Sequence, residues 1–160
     1  MKKTWQAKLE DKSQFPKVLI HECGFPCYNA VHKMGAEAGD EIVLANPSEI
    51  VAIMKKVPQG KLITISEICG QLAKKHGVKA CWTLTTGIFI MTAANAVAEA
   101  SEMGQSLEIP YWRTLKADGS LNDKYPGGQE SQKSLLEQEG FTVIQRGKKY
   151  WVLDFQQYVI

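Results

Sequence analysis

Tyr111, Trp112 and Arg113 stand in a row behind Pro110, and Tyr125 follows with Pro126, Gly127 and Gly128. A phenol, an indole and a guanidinium side by side favour stacking and hydrogen bonding over bond-making. Aromatic walls of this kind stack on nucleobases, at about 1–3 kcal/mol per base. A phenol is a weak nucleophile here: an unperturbed tyrosine has a pKa of about 10 and is almost wholly protonated at neutral pH. The same rings also suit a packed interior, so an aromatic-walled pocket and a filled core are both open readings. Thiols are stronger nucleophiles, but Cys69 and Cys81 fall in or beside predicted helices, away from this segment. Cys23 and Cys27 lie with His21 and His32 in a glycine-rich stretch whose spacing fits no standard zinc knuckle. The expectation there is reduced, buried thiols and ordinary histidines, with no metal and no other cofactor.

The elements that position these residues are marked by caps and stops. Glu41 to Leu44 reads as a short strand. A helix over 46–57 is predicted by Asn46 as cap, Pro47 in the first turn and Glu49 reaching back. A second, over 65–76, has Thr64 and Glu67 as its capping pair and Gly77 as its stop. A third spans 83–103, with Thr83 as its expected cap and Gly104 after it. Ala117 to Ser120 is a turn built on Asp118 and Gly119. Glu130 to Glu139 is a helix with Leu135 and Leu136 turned inward and Gly140 as its end. Residues 141–160 alternate as a hairpin that turns at Arg146 to Lys149. The first 18 residues read as a lysine-rich arm, with a short helix around Trp5 to Leu9.

Two of these elements carry alternative readings. The third helix lacks lysine and arginine, none occurring between Lys79 and Arg113, and Glu99 and Glu102 are acidic. It is either a buried core helix or one that offers its Thr83, Leu84, Thr85 and Thr86 end to a phosphate through hydroxyls and free amides. The tip with Arg146, Lys148 and Lys149 is either a wing on a phosphate backbone or a solvated turn.

A chain of 160 residues is expected to form one domain with an extra N-terminal piece, divided as 1–45 and 46–160. Its net charge of +2 is weak support for a nucleic-acid partner. No apolar run reaches the ~18 residues of a membrane span, and Met1-Lys2-Lys3 leads into a polar stretch rather than an export signal. The expected location is the cytoplasm, with no membrane partner.

The order Pro-x-x-Arg from Pro110, a turn at Gly119, Tyr125-x-Gly127-Gly128, and a Leu135-Leu136 helix closing on Glu139-Gly140 resembles the DNA-binding domain of the O6-alkylguanine-DNA alkyltransferases. Val57-Pro58-x-Gly60-Lys61 leading into Thr64-x-x-Glu67 resembles that family's entry into its helix-turn-helix. The resemblance spans about Asn46 to Phe141. In the family a reactive cysteine and its activating histidine follow the proline, and a glutamate orients the histidine. Here Tyr111 and Trp112 hold the first two places, while Glu139 is the counterpart of the third. Ile65 stands where the family carries a tyrosine that turns the target phosphate. Leu84, or a threonine beside it, stands where an arginine replaces the flipped base. The chain therefore resembles most the alkyltransferase-like proteins, which lack the cysteine.

The resemblance implies an α+β, mainly helical fold: a winged helix-turn-helix with a C-terminal β-hairpin and an N-terminal extension. It implies binding to double-stranded DNA, alkylated DNA included, without methyl transfer. Tyr111, Trp112, Arg113, Tyr125, Gly127, Gly128 and Glu139 would form the lesion pocket. Thr83 to Thr86 would lie on the DNA, and Arg146, Lys148 and Lys149 would form the wing. A protein-interaction module, or a small-ligand pocket around Tyr111 and Tyr125, is the alternative on the same fold.

Overall fold

In the computed structural model, residues 4–10, 17–20 and 39–160 are described. Its elements are α1 (Trp5–Glu10), β1 (Lys17–Ile20), β2 (Glu41–Leu44), α2 (Pro47–Lys55), β3 (Ile63–Thr64) and α3 (Ile65–His76). They continue with β4 (Ala80–Cys81), α4 (Thr83–Glu102), β5 (Thr114–Leu115), α5 (Gly128–Gln138), β6 (Val143–Arg146) and β7 (Lys149–Val152). The cluster of His21, Cys23, Cys27 and His32 lies outside the described residues.

Capping chemistry fixes the first two long helices. The Asn46 side-chain Oδ1 accepts the Ser48 amide at 2.9 Å, and the Glu49 carboxylate accepts the Asn46 amide at 2.9 Å. Glu67 accepts the Thr64 amide at 3.0 Å, and Gly77 ends α3 in the left-handed conformation at φ +64°. Each box satisfies amides that a helix start leaves without partners. α2 buries Ile50 and Met54, α3 buries Ile68 and Leu72, and α4 buries Ile90, Ala93 and Ala94 in one core with Tyr111 and Tyr125. Leu62, Leu115, Leu121, Leu136, Phe141 and Val152 make a second, smaller core, and Trp112 packs against both.

Three small sheets tie distant segments together. β2 lies between β1, antiparallel, and β4, parallel, with Ile42 opposite Ala80 and Val43 opposite Cys81. β3 and β5 pair in parallel, Ile63 opposite Thr114. β6 and β7 form the expected hairpin, Arg146 opposite Lys149. α1 docks on α4, where the Glu99 carboxylate accepts the Trp5 and Gln6 amides at 3.1 and 3.2 Å. Glu99 thus closes one helix onto another. The boundary expected between 45 and 46 is crossed by β2 on β4 and α3, and by α1 on α2 and α4.

Two boundaries differ from the sequence reading. Trp82, not Thr83, is the N-cap of α4. The Thr85 and Thr86 hydroxyls donate to the Trp82 carbonyl at 3.3 and 2.9 Å, the i−3 and i−4 pattern inside a first turn. α5 begins at Gly128 rather than Glu130, because Gly127 takes the cap position at φ +78°. A Cβ on Gly127 would lie 2.6 Å from the Ser131 Cβ. The glycine pair therefore serves the start of a helix. Among the described residues no helix is long and apolar enough to cross a membrane.

The Lys116–Ser120 turn closes with the Gly119 amide on the Lys116 carbonyl at 2.9 Å. Gly119 has φ +83°, and a Cβ there would sit 2.3 Å from the Phe155 ring. Gly119→Ala combines left-handed strain with overpacking, and a loss of about 2–4 kcal/mol is expected. Urea unfolding would show it as a lower midpoint at unchanged slope; an unchanged midpoint would contradict the packing described.

Candidate functional site

The Pro110–Arg113 segment makes one turn of 3-10 helix, Tyr111–Arg113, and runs straight into β5. Three side chains from this turn and the end of α5 form a clasp. The Trp112 indole N–H donates to Glu139 Oε2. Arg113 Nε donates to Glu139 Oε1 at 2.9 Å, and Arg113 Nη1 donates to the Val57 carbonyl at 2.8 Å. The carboxylate side chain is 8% exposed and the guanidinium side chain 15%, so the ion pair is largely out of water. The clasp joins the loop after α2, the turn and the end of α5.

Tyr111 and Tyr125 lie inside the core, at 7% and 3% exposure. Tyr111 packs edge to face on Trp112 and on Tyr125, with ring centroids 5.4 and 5.2 Å apart. The Tyr125 hydroxyl donates to the Thr114 carbonyl at 3.0 Å. Burial pushes the Tyr111 phenol above its ordinary value. Burial, with the neighbouring Tyr111, pushes Tyr125 far up. Neither is a phenolate at neutral pH. Of the two readings of these rings, the arrangement is that of a filled core: each ring occupies the space beside the other.

Gln132 was not among the expected site residues. It is 1% exposed on the inward face of α5, and its amide donates to the Trp112 and Thr114 carbonyls at 3.1 and 3.4 Å. Its oxygen accepts the Asn122 amide at 2.8 Å. It pins the turn, the following strand and the Asn122 loop to one helix. The sequence signal was a polar residue four before Leu136, on the stripe otherwise turned inward.

The N-terminal half of α4 forms a second region. Leu84 and Ile88 are 49% and 46% exposed. With Ile65 and Met91 they line a groove of about 290 Å³ whose rim carries Lys116 and Lys124. Lys116 sits 3.7 Å from Asp123, a loose and exposed pair. Thr83, which also lines the groove, and Thr85 are half-buried. Thr86 corrects the sequence reading: it is 1% exposed, lies 3.3 Å from Cys81 Sγ, and faces the interior. Cys69 and Cys81 are both fully buried. The hydrogen bond from Cys69 outweighs burial and, with Thr86, holds the Cys81 thiol below its ordinary value.

At the hairpin tip Arg146, Lys148 and Lys149 are exposed. Ser120 bridges to Trp151 on β7. Burial of Asp118 is outweighed by its bonds from the Ser120 hydroxyl and amide and by nearby Lys149, so its carboxyl is held below the usual range. The structure therefore groups the expected side chains in three places: a buried clasp, an apolar groove edged by lysines, and a cationic tip.

Residues 46–141 match the family described as 6-O-methylguanine DNA methyltransferase, DNA binding domain. The fold is similar to S. pombe Atl1, solved in complex with damaged DNA containing O6-carboxymethylguanine, at TM-score 0.51 and 19% identity. It is also similar to S. pombe ATL solved in complex with DNA, at TM-score 0.53 and 21% identity. Each likeness covers 71% of this chain and 93% of the other. At these identities the likeness is one of fold, and it agrees with the mainly helical α+β architecture expected from the sequence. No curated protein sequence matches the chain.

Proposed function

Given that the chain belongs to the family of 6-O-methylguanine DNA methyltransferase DNA-binding domains, we propose that it binds duplex DNA, alkylated DNA included, without accepting the alkyl group. The observation that carries this reading is the clasp. By resemblance, Tyr111 and Trp112 stand where a thiol and its imidazole activator would be. Trp112 keeps the bond to the glutamate, through its N–H on Glu139. An indole nitrogen is a donor only and has no lone pair to take a proton. The phenol beside it is buried and hard to ionise, and the Cys69 and Cys81 thiols are sealed in the core. Among the described residues, the oriented carboxylate thus has no thiol beside it to activate.

The DNA contacts in this reading are the N-terminal half of α4, with Lys116 and Lys124, and the hairpin tip. That the two S. pombe structures of similar fold were solved holding DNA supports DNA binding. The protein would serve recognition of alkylation damage in DNA repair, with the chemistry left to other factors. Lys116, Lys124, Arg146, Lys148 and Lys149 are the cations on these two surfaces. If each neutralises one phosphate, the plot of log affinity against log salt has a slope no steeper than about −4.5.

Fluorescence anisotropy with duplexes that do or do not contain O6-methylguanine, titrated over a range of salt, tests the binding. Intact-mass spectrometry after incubation tests the absence of transfer. The expected result is salt-dependent binding and an unchanged protein mass. A gain of one methyl group on the protein would end the non-catalytic reading. Failure to bind any duplex at low salt would turn the Leu84–Ile88 stripe over to a protein partner.

A further inference from the structure

We propose that Cys69 and Cys81 form a dithiol which hydroperoxides convert to a disulfide, tying α3 to β4. The pair is separate from the clasp and from the groove, and the inference does not depend on DNA binding.

The two sulfurs come from different elements. Cys69 is a buried residue of α3, and Cys81 ends β4, twelve positions later. Both belong to the main core. α3 and β4 pack on one another, and the Cys69 thiol hydrogen-bonds to Cys81. Thr86 Oγ1 stands 3.3 Å from Cys81 Sγ, so the Cys81 sulfur has two polar neighbours. The Cys69 bond, helped by Thr86 and the Ala45 backbone, outweighs burial and the Glu49 charge and holds the Cys81 thiol below its ordinary value. A lowered thiol is the one that attacks, and a second thiol beside it resolves the product. A cysteine serving only as core needs no such pairing, since it packs as a small hydrophobe.

Burial selects the reagent. An alkyl group carried on DNA, or a bulky thiol such as glutathione, is kept from the pair by the core around it. Hydrogen peroxide is little larger than water and enters on a local opening of β4. That strand is two residues long, flanked by the Lys79 and Trp82 amides that bond to β2 at 3.2 and 2.9 Å, and local openings cost less than global unfolding. The Cys81 thiolate attacks a peroxide oxygen, the O–O bond breaks, and the leaving oxygen departs with the proton released from Cys81. Cys81 is then a sulfenic acid. The Cys69 sulfur attacks Cys81 Sγ, the S–O bond breaks, and water leaves with the Cys69 proton. Two thiols and one hydroperoxide thus give one disulfide, one alcohol (water, from hydrogen peroxide) and one water, as two electrons pass from sulfur to the peroxide. The bridge spans the end of α3 and the strand that leads into α4.

The test uses the full chain with Cys23→Ser and Cys27→Ser, which leaves Cys69 and Cys81 as the remaining thiols. The folded protein is treated with hydrogen peroxide, quenched with catalase, then unfolded in iodoacetamide and weighed. The expected result is a mass lower by two hydrogens with no alkyl group added, a peptide pair linking Cys69 to Cys81, and return of both thiols on reduction. The oxidised protein should melt about 5–10 °C above the reduced one, because the closed loop constrains the unfolded chain. Adding Cys69→Ala should stop the reaction at a sulfenic acid on Cys81, trapped by dimedone. Adding Cys81→Ala should leave Cys69 a free thiol over the same time. Far-UV circular dichroism checks the fold of both alanine variants, and the crosslink in the parent protein decides the question if either fails to fold. Alkylation of both thiols after peroxide treatment would overturn the proposal. So would a bridge that forms only when peroxide meets the urea-unfolded chain, because native proximity would then play no part.

Discussion

Glu139→Ala is expected to cost about 3–5 kcal/mol of stability. The substitution leaves two groups without their partner. Arg113, 15% exposed in its side chain, keeps its charge and retains the Val57 carbonyl at 2.8 Å. The Trp112 indole N–H loses its acceptor, and an orphaned buried donor adds about 1–3 kcal/mol to the cost. For a chain of this size the loss corresponds to a fall in Tm of roughly 10 °C or more. Glu139→Gln should be milder, because an amide oxygen can still accept from the indole. The double change Arg113→Met with Glu139→Leu should recover the part of the loss due to the uncompensated charge, since a buried pair replaced as a unit by apolar groups is often neutral, while the Trp112 N–H stays without its acceptor. Thermal and urea unfolding of the four proteins measures this. A Glu139→Ala variant within about 1 kcal/mol of the wild type would show that the clasp does not carry the energy assigned to it.

Tyr111→Ala is expected to cost a similar amount, about 3–5 kcal/mol. The ring is 7% exposed and wedged between Trp112 and Tyr125 in two edge-to-face contacts. Its removal leaves a cavity that rings fixed by the Glu139 and Thr114 bonds collapse into poorly. Tyr111→Phe keeps the ring and should stay within about 1 kcal/mol. Tyr111→Cys places a thiol beside Trp112 and should still fail to take up a methyl group from O6-methylguanine in DNA, because Trp112 has no lone pair to activate it. Urea unfolding checks the first two and intact mass the third. A methylated Tyr111→Cys protein would show that the nucleophile alone was missing and that the indole is no obstacle.

The parts of the fold governed by local rules were legible in the sequence. Asn46 with Glu49, Thr64 with Glu67, Gly77 and the Arg146–Lys149 turn each announce themselves within a few residues, and the structure places each element there. The pairing of β3 with β5 was hidden, because two-residue strands 51 positions apart carry no periodicity. The α4 cap was misplaced for a related reason. A threonine is a good cap by type, but Thr85 and Thr86 bond back to Trp82, and which hydroxyl takes which role depends on what the helix packs against. The candidate site divided along the same line. Its motif order in the Pro110–Gly140 block was visible. Whether Tyr111 and Tyr125 wall a cleft or fill one depends on side chains from α2, α3 and α4 that meet only in three dimensions.

The strand Glu41–Leu44 lies outside the residues that match the family, yet Ile42 and Val43 are sealed against Ala80 and Cys81 within them. Heredity in this chain is therefore coupled across that border. A bulkier side chain at Ala80 has to be answered by a smaller one at Ile42 or its surroundings. Chimeras that swap the matched stretch alone would break apart a pair of neighbours that must mutate together.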